Sequence, residues 1–147
     1  MRLIAFLFLA SILPAATPPT ISQKRLDALV LRWQKVLKLQ DWDIRAVCVK
    51  LEDLPEGTMG GSQADRSYRV LHVYVLDPSE YGKAAIANDT VEKTGREILA
   101  DIEDTVVHEL VHLRLKDLVQ ASESDLKTAE ELTVNRFTSA LLRKGKL

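Results

Sequence analysis

The spacing of apolar positions along the chain changes several times, and each change marks an element. Pro18-Pro19-Thr20 reads as a turn or linker. Ser22 then stands at a helix N-cap position, and Leu26, Leu29, Val30, Trp33, Val36 and Leu37 recur at helical spacing, which predicts a helix reaching about Leu39. Asp41-Trp42-Asp43 breaks it. Ile44 to Lys50 is rich in β-branched residues and reads as a strand. Leu54-Pro55-Glu56-Gly57 is a turn, and Gly60 to Asp65 is a loop or a short edge strand weakened by glycine. Tyr68 to Leu76 is the strongest strand signal, and Asp77-Pro78 ends it. Asp89 and Glu92 have the spacing of a capping box for a short helix, which Gly95 interrupts. Glu97 to about Leu118 is strongly helical, with Ile98, Leu99, Ile102, Val106, Leu110, Leu113 and Leu118 on its apolar positions. A loop over Gln120 to Asp125 leads to a last helix from Thr128 to about Arg143, whose basic end suits the helix dipole. Helix, strands, helix, helix is the order of an α+β domain with a small sheet.

The N-terminus has a different character. Met1-Arg2 is followed by an almost wholly apolar run from Leu3 to Leu13, then by Pro14-Ala15-Ala16-Thr17. A short cationic start, a brief apolar run and small residues behind it describe a secretory signal peptide over residues 1–16. The run is too short to span a membrane, which takes about 20 apolar residues. The expectation is one domain over residues 20–147, secreted or periplasmic, with no stable membrane span after cleavage. The mature part keeps 19 basic and 21 acidic side chains, a net charge of about −2 by that count, which argues against a nucleic-acid partner. The only cysteine, Cys48, rules out a disulfide within the chain and any multi-cysteine zinc site. It reads as a small buried strand residue rather than a reactive thiol.

The chemistry concentrates on the second long helix, where His108-Glu109-Leu110-Val111-His112 has the form H-E-x-x-H. Residues i and i+4 lie about 40° apart around a helix and about 6 Å along it, so both imidazoles can reach one metal from one face. Glu109, about 100° around from His108, flanks that position and can take a proton from a water on the metal. Two of the three histidines in the chain share this face. A hydrolytic zinc site needs a third protein ligand, and the last helix offers adjacent carboxylates, Glu130 and Glu131. Eighteen residues separate His112 from Glu131, room for a loop and a returning helix. Asn135, one turn beyond Glu131, is placed to orient a ligand histidine. Glu130 stays a rival ligand, because it shares a stripe with Val134, Phe137 and Leu141.

His108-Glu109-x-x-His112 followed by Glu131-x-x-x-Asn135 resembles the gluzincin metallopeptidases, the thermolysin-like group, with Asn135 where that group has Asp. Val134-Asn135-x-Phe137 is also similar to the compact HExxH proteins related to ImmA and IrrE, and the size is that of minigluzincins. The resemblance implies a zincin-like fold: an N-terminal helix, a small, mostly antiparallel sheet, an active-site helix carrying HExxH, and a C-terminal helix with the third ligand. It implies one zinc ion per chain on His108, His112 and Glu131, with Glu109 as general base, in a shallow, open cleft. The activity implied is hydrolysis of peptide bonds in a peptide or protein substrate by a Glu-activated zinc-bound water. His72, Tyr68, Tyr74 and Tyr81 are candidates for stabilising the oxyanion. An extended substrate would add along a sheet edge, either Tyr68 to Leu76 or the Gly60-Gly61 segment. The competing reading is an exported metal-binding scaffold, a binding module with little turnover. A third is a structural helix carrying a chance motif.

Overall fold

The computed structural model describes residues 19–88, 90–118 and 126–144, without the side chains of 117, 118, 126–130 and 132. Residues 1–16, where a signal peptide is expected, Asp89, the loop over Gln120 to Asp125 and the side chain of Glu130 therefore lie outside the described residues. Helix α1 spans Gln23–Val36, with Ser22 as N-cap accepting from the Arg25 N–H. It ends earlier than its apolar spacing predicts. Lys38 takes a left-handed conformation (φ 56°), and the Leu39 and Lys38 amides turn back onto the Gln34 and Lys35 carbonyls. That is a Schellman closure, here without the usual glycine. The buried Gln34 amide fastens it by donating to the Leu39 and Trp42 carbonyls at 2.9 and 2.7 Å. Val36, counted on the apolar stripe, faces solvent.

Three strands follow: β1 (Asp43–Val49), β2 (Gly60–Asp65) and β3 (Val70–Leu76), in the order β1-β3-β2. β2 and β3 form an antiparallel hairpin, turned at residues 66–69, where Arg69 has φ 53°. β1 lies parallel to β3. The sheet is therefore mixed, not mostly antiparallel. The physical reason is the connection over residues 50–59, which carries the chain past the place of β3, so that β3 inserts between the two earlier strands. β3 is thus the central strand and offers no edge.

Register puts Ile44, Ala46 and Cys48 on the same face as Leu71, Val73 and Val75, and helices cover that face. After β3 the chain makes the short helix α2 (Tyr81–Ala87). The expected Asp89/Glu92 capping box falls partly outside the described residues, because Asp89 does; residues 90–94 are not helical, and Thr94 and Glu97 supply a helix start. The Glu97 carboxylate accepts from the Thr94 N–H and hydroxyl, both at 2.7 Å, and helix α3 runs from Gly95 to Leu118. Gly95 opens this helix rather than interrupting one. α1 lies over β1, α3 lies over β3 and β2, and α4 (Leu126–Lys144) packs on α3. α3 is thus sandwiched, with Ile98, Ile102, Val106, Val107, Leu110, Val111 and Leu113 all buried. Glu103 ties it to α1 by accepting from Trp33 Nε1 at 3.0 Å and pairing with Arg32. No helix among the described residues is long and apolar enough to cross a membrane.

Candidate metal centre

Asp104, His108, His112 and Lys116 form a stripe along α3, each one turn from the next. These residues line a cleft of about 500 Å³ with Thr58, Met59, Gly60 and Ser62 on the sheet side and Glu131 on α4. The imidazoles of His108 and His112 stack edge to face, with Nε2 atoms 3.0 Å apart. The Glu131 carboxylate meets both, with Oε1 2.9 Å from His112 Nε2 and Oε2 3.7 Å from His108 Nε2. His108, His112 and Glu131 form a group that could hold a metal ion.

Two imidazole nitrogens and a carboxylate are a donor set that could hold a metal ion. Two atoms bound to one tetrahedral ion at about 2.0–2.1 Å stand about 3.3 Å apart. The two Nε2 atoms stand 3.0 Å apart, and the Glu131 carboxylate lies 2.9 Å from one through Oε1 and 3.7 Å from the other through Oε2, distances on either side of that value. The chemistry agrees, because only one N–H fits between two facing Nε2 atoms, whereas a cation at the centre takes a lone pair from each. The imidazoles are largely shielded and the carboxylate is half-exposed, which keeps one side of the group open to the cleft.

Glu109 points elsewhere, toward the sheet. Its Oε2 accepts from the Ser62 hydroxyl on β2 at 2.5 Å. The divergence follows from the helix: a step of one residue rotates the side chain by about 100°, so the histidines face α4 while Glu109 faces the edge strand. Asp104, one turn before His108, has its carboxyl raised from its ordinary value. Desolvation against the cleft wall is the main cause, aided by Asp101 and opposed by His108 and Lys93.

Several expected roles find no place here. Asn135 is exposed and makes no hydrogen bond to either histidine among the described residues. The reason is the register of α4: its buried residues Val134 and Thr138 set the face toward α3, Glu131 lies near that face, and Asn135 falls to one side. Phe137 falls to the other side and is 55% exposed rather than core. None of the proposed oxyanion residues lines the cleft. Tyr68 is exposed in the β2–β3 turn, and His72 and Tyr74 project from the face of β3 opposite the helices. Tyr81 is buried, with its hydroxyl pushed up by desolvation and by Asp101. Cys48 lies away from the cleft, and burial raises its thiol, the opposite of an activated nucleophile. Sequence reasoning passed over Ser62, Asp104 and Lys116. The last two were detectable, since they continue the i, i+4 spacing of the histidines in both directions.

No family model, curated protein or solved structure matches the chain.

Proposed function

We propose that this chain is a zinc-dependent metallopeptidase of zincin-like type, with one zinc ion on His108, His112 and Glu131 and with Glu109 as general base. The observation that carries the reading is the convergence of two imidazole Nε2 atoms and a carboxylate from a second helix at ligand spacing, with a further carboxylate on the same cleft. A zinc ion held by such a set supplies Lewis acidity, lowering the pKa of a water toward about 7 and polarising the scissile carbonyl. Glu109 takes the proton of the attacking water and delivers it to the leaving amine, a contribution of about 10²–10⁴-fold.

The substrate is an extended stretch of peptide or protein. Met59 O accepts from Leu76 N across the ladder at 3.0 Å, so alternation turns the amides and carbonyls of Gly60, Ser62 and Ala64 outward. No described segment bonds them, and Gly60 and Ser62 border the cleft, as a strand-like substrate requires. The opposite edge is partly occupied, because Gln23 donates to Ala46 O of β1 at 2.8 Å. The signal-like residues 1–16 make the setting secreted or periplasmic.

The test is elemental analysis of the purified chain together with casein hydrolysis by wild type, Glu109→Gln and His108→Ala. One zinc per chain in wild type and Glu109→Gln, activity only in wild type, and lost zinc in His108→Ala are expected. Zinc without turnover in wild type would favour the binding-module reading. No metal in wild type would leave H-E-x-x-H a chance motif.

A further inference from the structure

The side chain that reaches Glu109 comes from β2, and the way this strand meets α3 bears on what it does there. Gly60 lies against Thr105: a Cβ at position 60 would collide with Thr105 Cγ2 and stand 2.6 Å from the Tyr74 carbonyl oxygen. Only a residue without a side chain lets the strand sit this close to the helix. Two residues on, Ser62 meets Glu109, which is four residues beyond Thr105. Two strand residues advance about 6.6 Å and four helical residues about 6.0 Å, so the two contacts are in step. The close approach at Gly60 therefore sets the reach of the Ser62 hydroxyl.

We propose that Ser62 is a positioning residue for the general base, its hydroxyl holding Glu109 by Oε2 so that Oε1 is left for the proton of the attacking water. The inference rests on the reading of Glu109 as base. Among the described residues no other hydrogen bond engages the Glu109 carboxylate. A free glutamate side chain would spread over several rotamers, and a single donor on one oxygen selects the orientation in which the other is available. Ser62 also belongs to the outward-turned set of the β2 edge, with Gly60 and Ala64. A peptide pairing with that edge would bond the backbone of the same residue whose side chain holds the base. Substrate register and base position are thus fixed by one residue, through its main chain and its side chain respectively.

The test uses the full chain carrying zinc, with labelled casein as the probe. Ser62→Ala is expected to lower kcat by about tenfold, the worth of a hydrogen bond to a charged group, while KM and zinc content hold. Ser62→Thr, which keeps a hydroxyl and suits a strand, restores most of the loss. In a Glu109→Gln background, Ser62→Ala produces no further fall. A second readout needs neither turnover nor metal: the melting-temperature losses of Ser62→Ala and Glu109→Gln are less than additive in the metal-free chain. Wild-type kcat in Ser62→Ala beside an inactive Glu109→Gln overturns the role of Ser62 and leaves the base reading standing. Additive melting losses overturn it as well. A Glu109→Gln chain as active as wild type overturns the base reading itself, and with it this inference.

Discussion

Helix α3 has two flanks with opposite characters. The flank toward the sheet carries Ile98, Ile102, Val106 and Leu110 against Leu71, Val73 and Val75, all at most 5% exposed. The flank toward the cleft carries Asp104, His108, Glu109, His112 and Lys116, an almost unbroken polar set. Both belong to the same 24-residue helix. The comparison shows how a rigid site is built in a small domain. The apolar flank fixes the position and rotation of the helix by close packing, and the polar flank inherits that fixed geometry at no cost in core volume. Stability and chemistry should therefore separate by flank, and variants can test the separation.

The largest effect is expected on the cleft flank. His108→Ala/His112→Ala should abolish zinc binding and casein hydrolysis together while leaving the secondary structure intact by circular dichroism. A chelator should lower the melting temperature of wild type, because an ion bound only by the folded state stabilises it, and should leave the double variant unmoved. Equal shifts in the two would break the comparison.

On the apolar flank, Ile102→Ala deletes a fully buried side chain and should cost about 2–5 kcal/mol in denaturant unfolding. Zinc stoichiometry should hold at temperatures where the variant remains folded. If this variant loses zinc while still folded, the two flanks are not independent.

Gly60→Ala probes where they meet. The added methyl forces β2 away from Thr105 and the Tyr74 carbonyl, a strain of about 1–3 kcal/mol. It should also reduce kcat, since Ser62 moves with the strand. A change in stability without a change in kcat would separate the strand's approach from the orientation of Glu109.

The smallest effect lies at the start of α3, away from both flanks. Hydrogen bonds from Thr94 hold the Glu97 carboxyl below its usual value. A carboxyl whose folded value is depressed contributes stability above its unfolded value, near 4.5, and loses it as pH falls through the lower folded value. Wild type should thus exceed Glu97→Gln slightly in melting temperature at neutral pH, and the gap should close in acid. A gap that persists at low pH would mean the capping carboxylate is not its source.

What the sequence determined by itself is what depends on short-range spacing. The H-E-x-x-H pair lies within two turns of one helix, so its convergence follows from helical geometry alone. α1, β1, β3, α3 and α4 were each legible from local period, to within a few residues at their ends. Ser22 as N-cap was legible too, because its hydrogen bond spans three residues. The tertiary structure decided whatever depends on partners far along the chain. The Schellman end of α1 needed the Gln34 amide to be buried against the Leu39 and Trp42 carbonyls, whereas the Thr94–Glu97 cap at the start of α3 spans only three residues and was as local as that of Ser22. Glu131 and Glu130 were neighbours that spacing left as rivals; the packing of Val134 and Thr138 sets the rotation of α4 that brings Glu131 to the histidines, while the side chain of Glu130 lies outside the described residues. The mixed sheet depended on which strand the connection left in the middle, and periodicity within a strand carries no information about its neighbours. Ser62 was invisible for the same reason: its partner is 47 residues away, and only the close approach at Gly60 brings the two together.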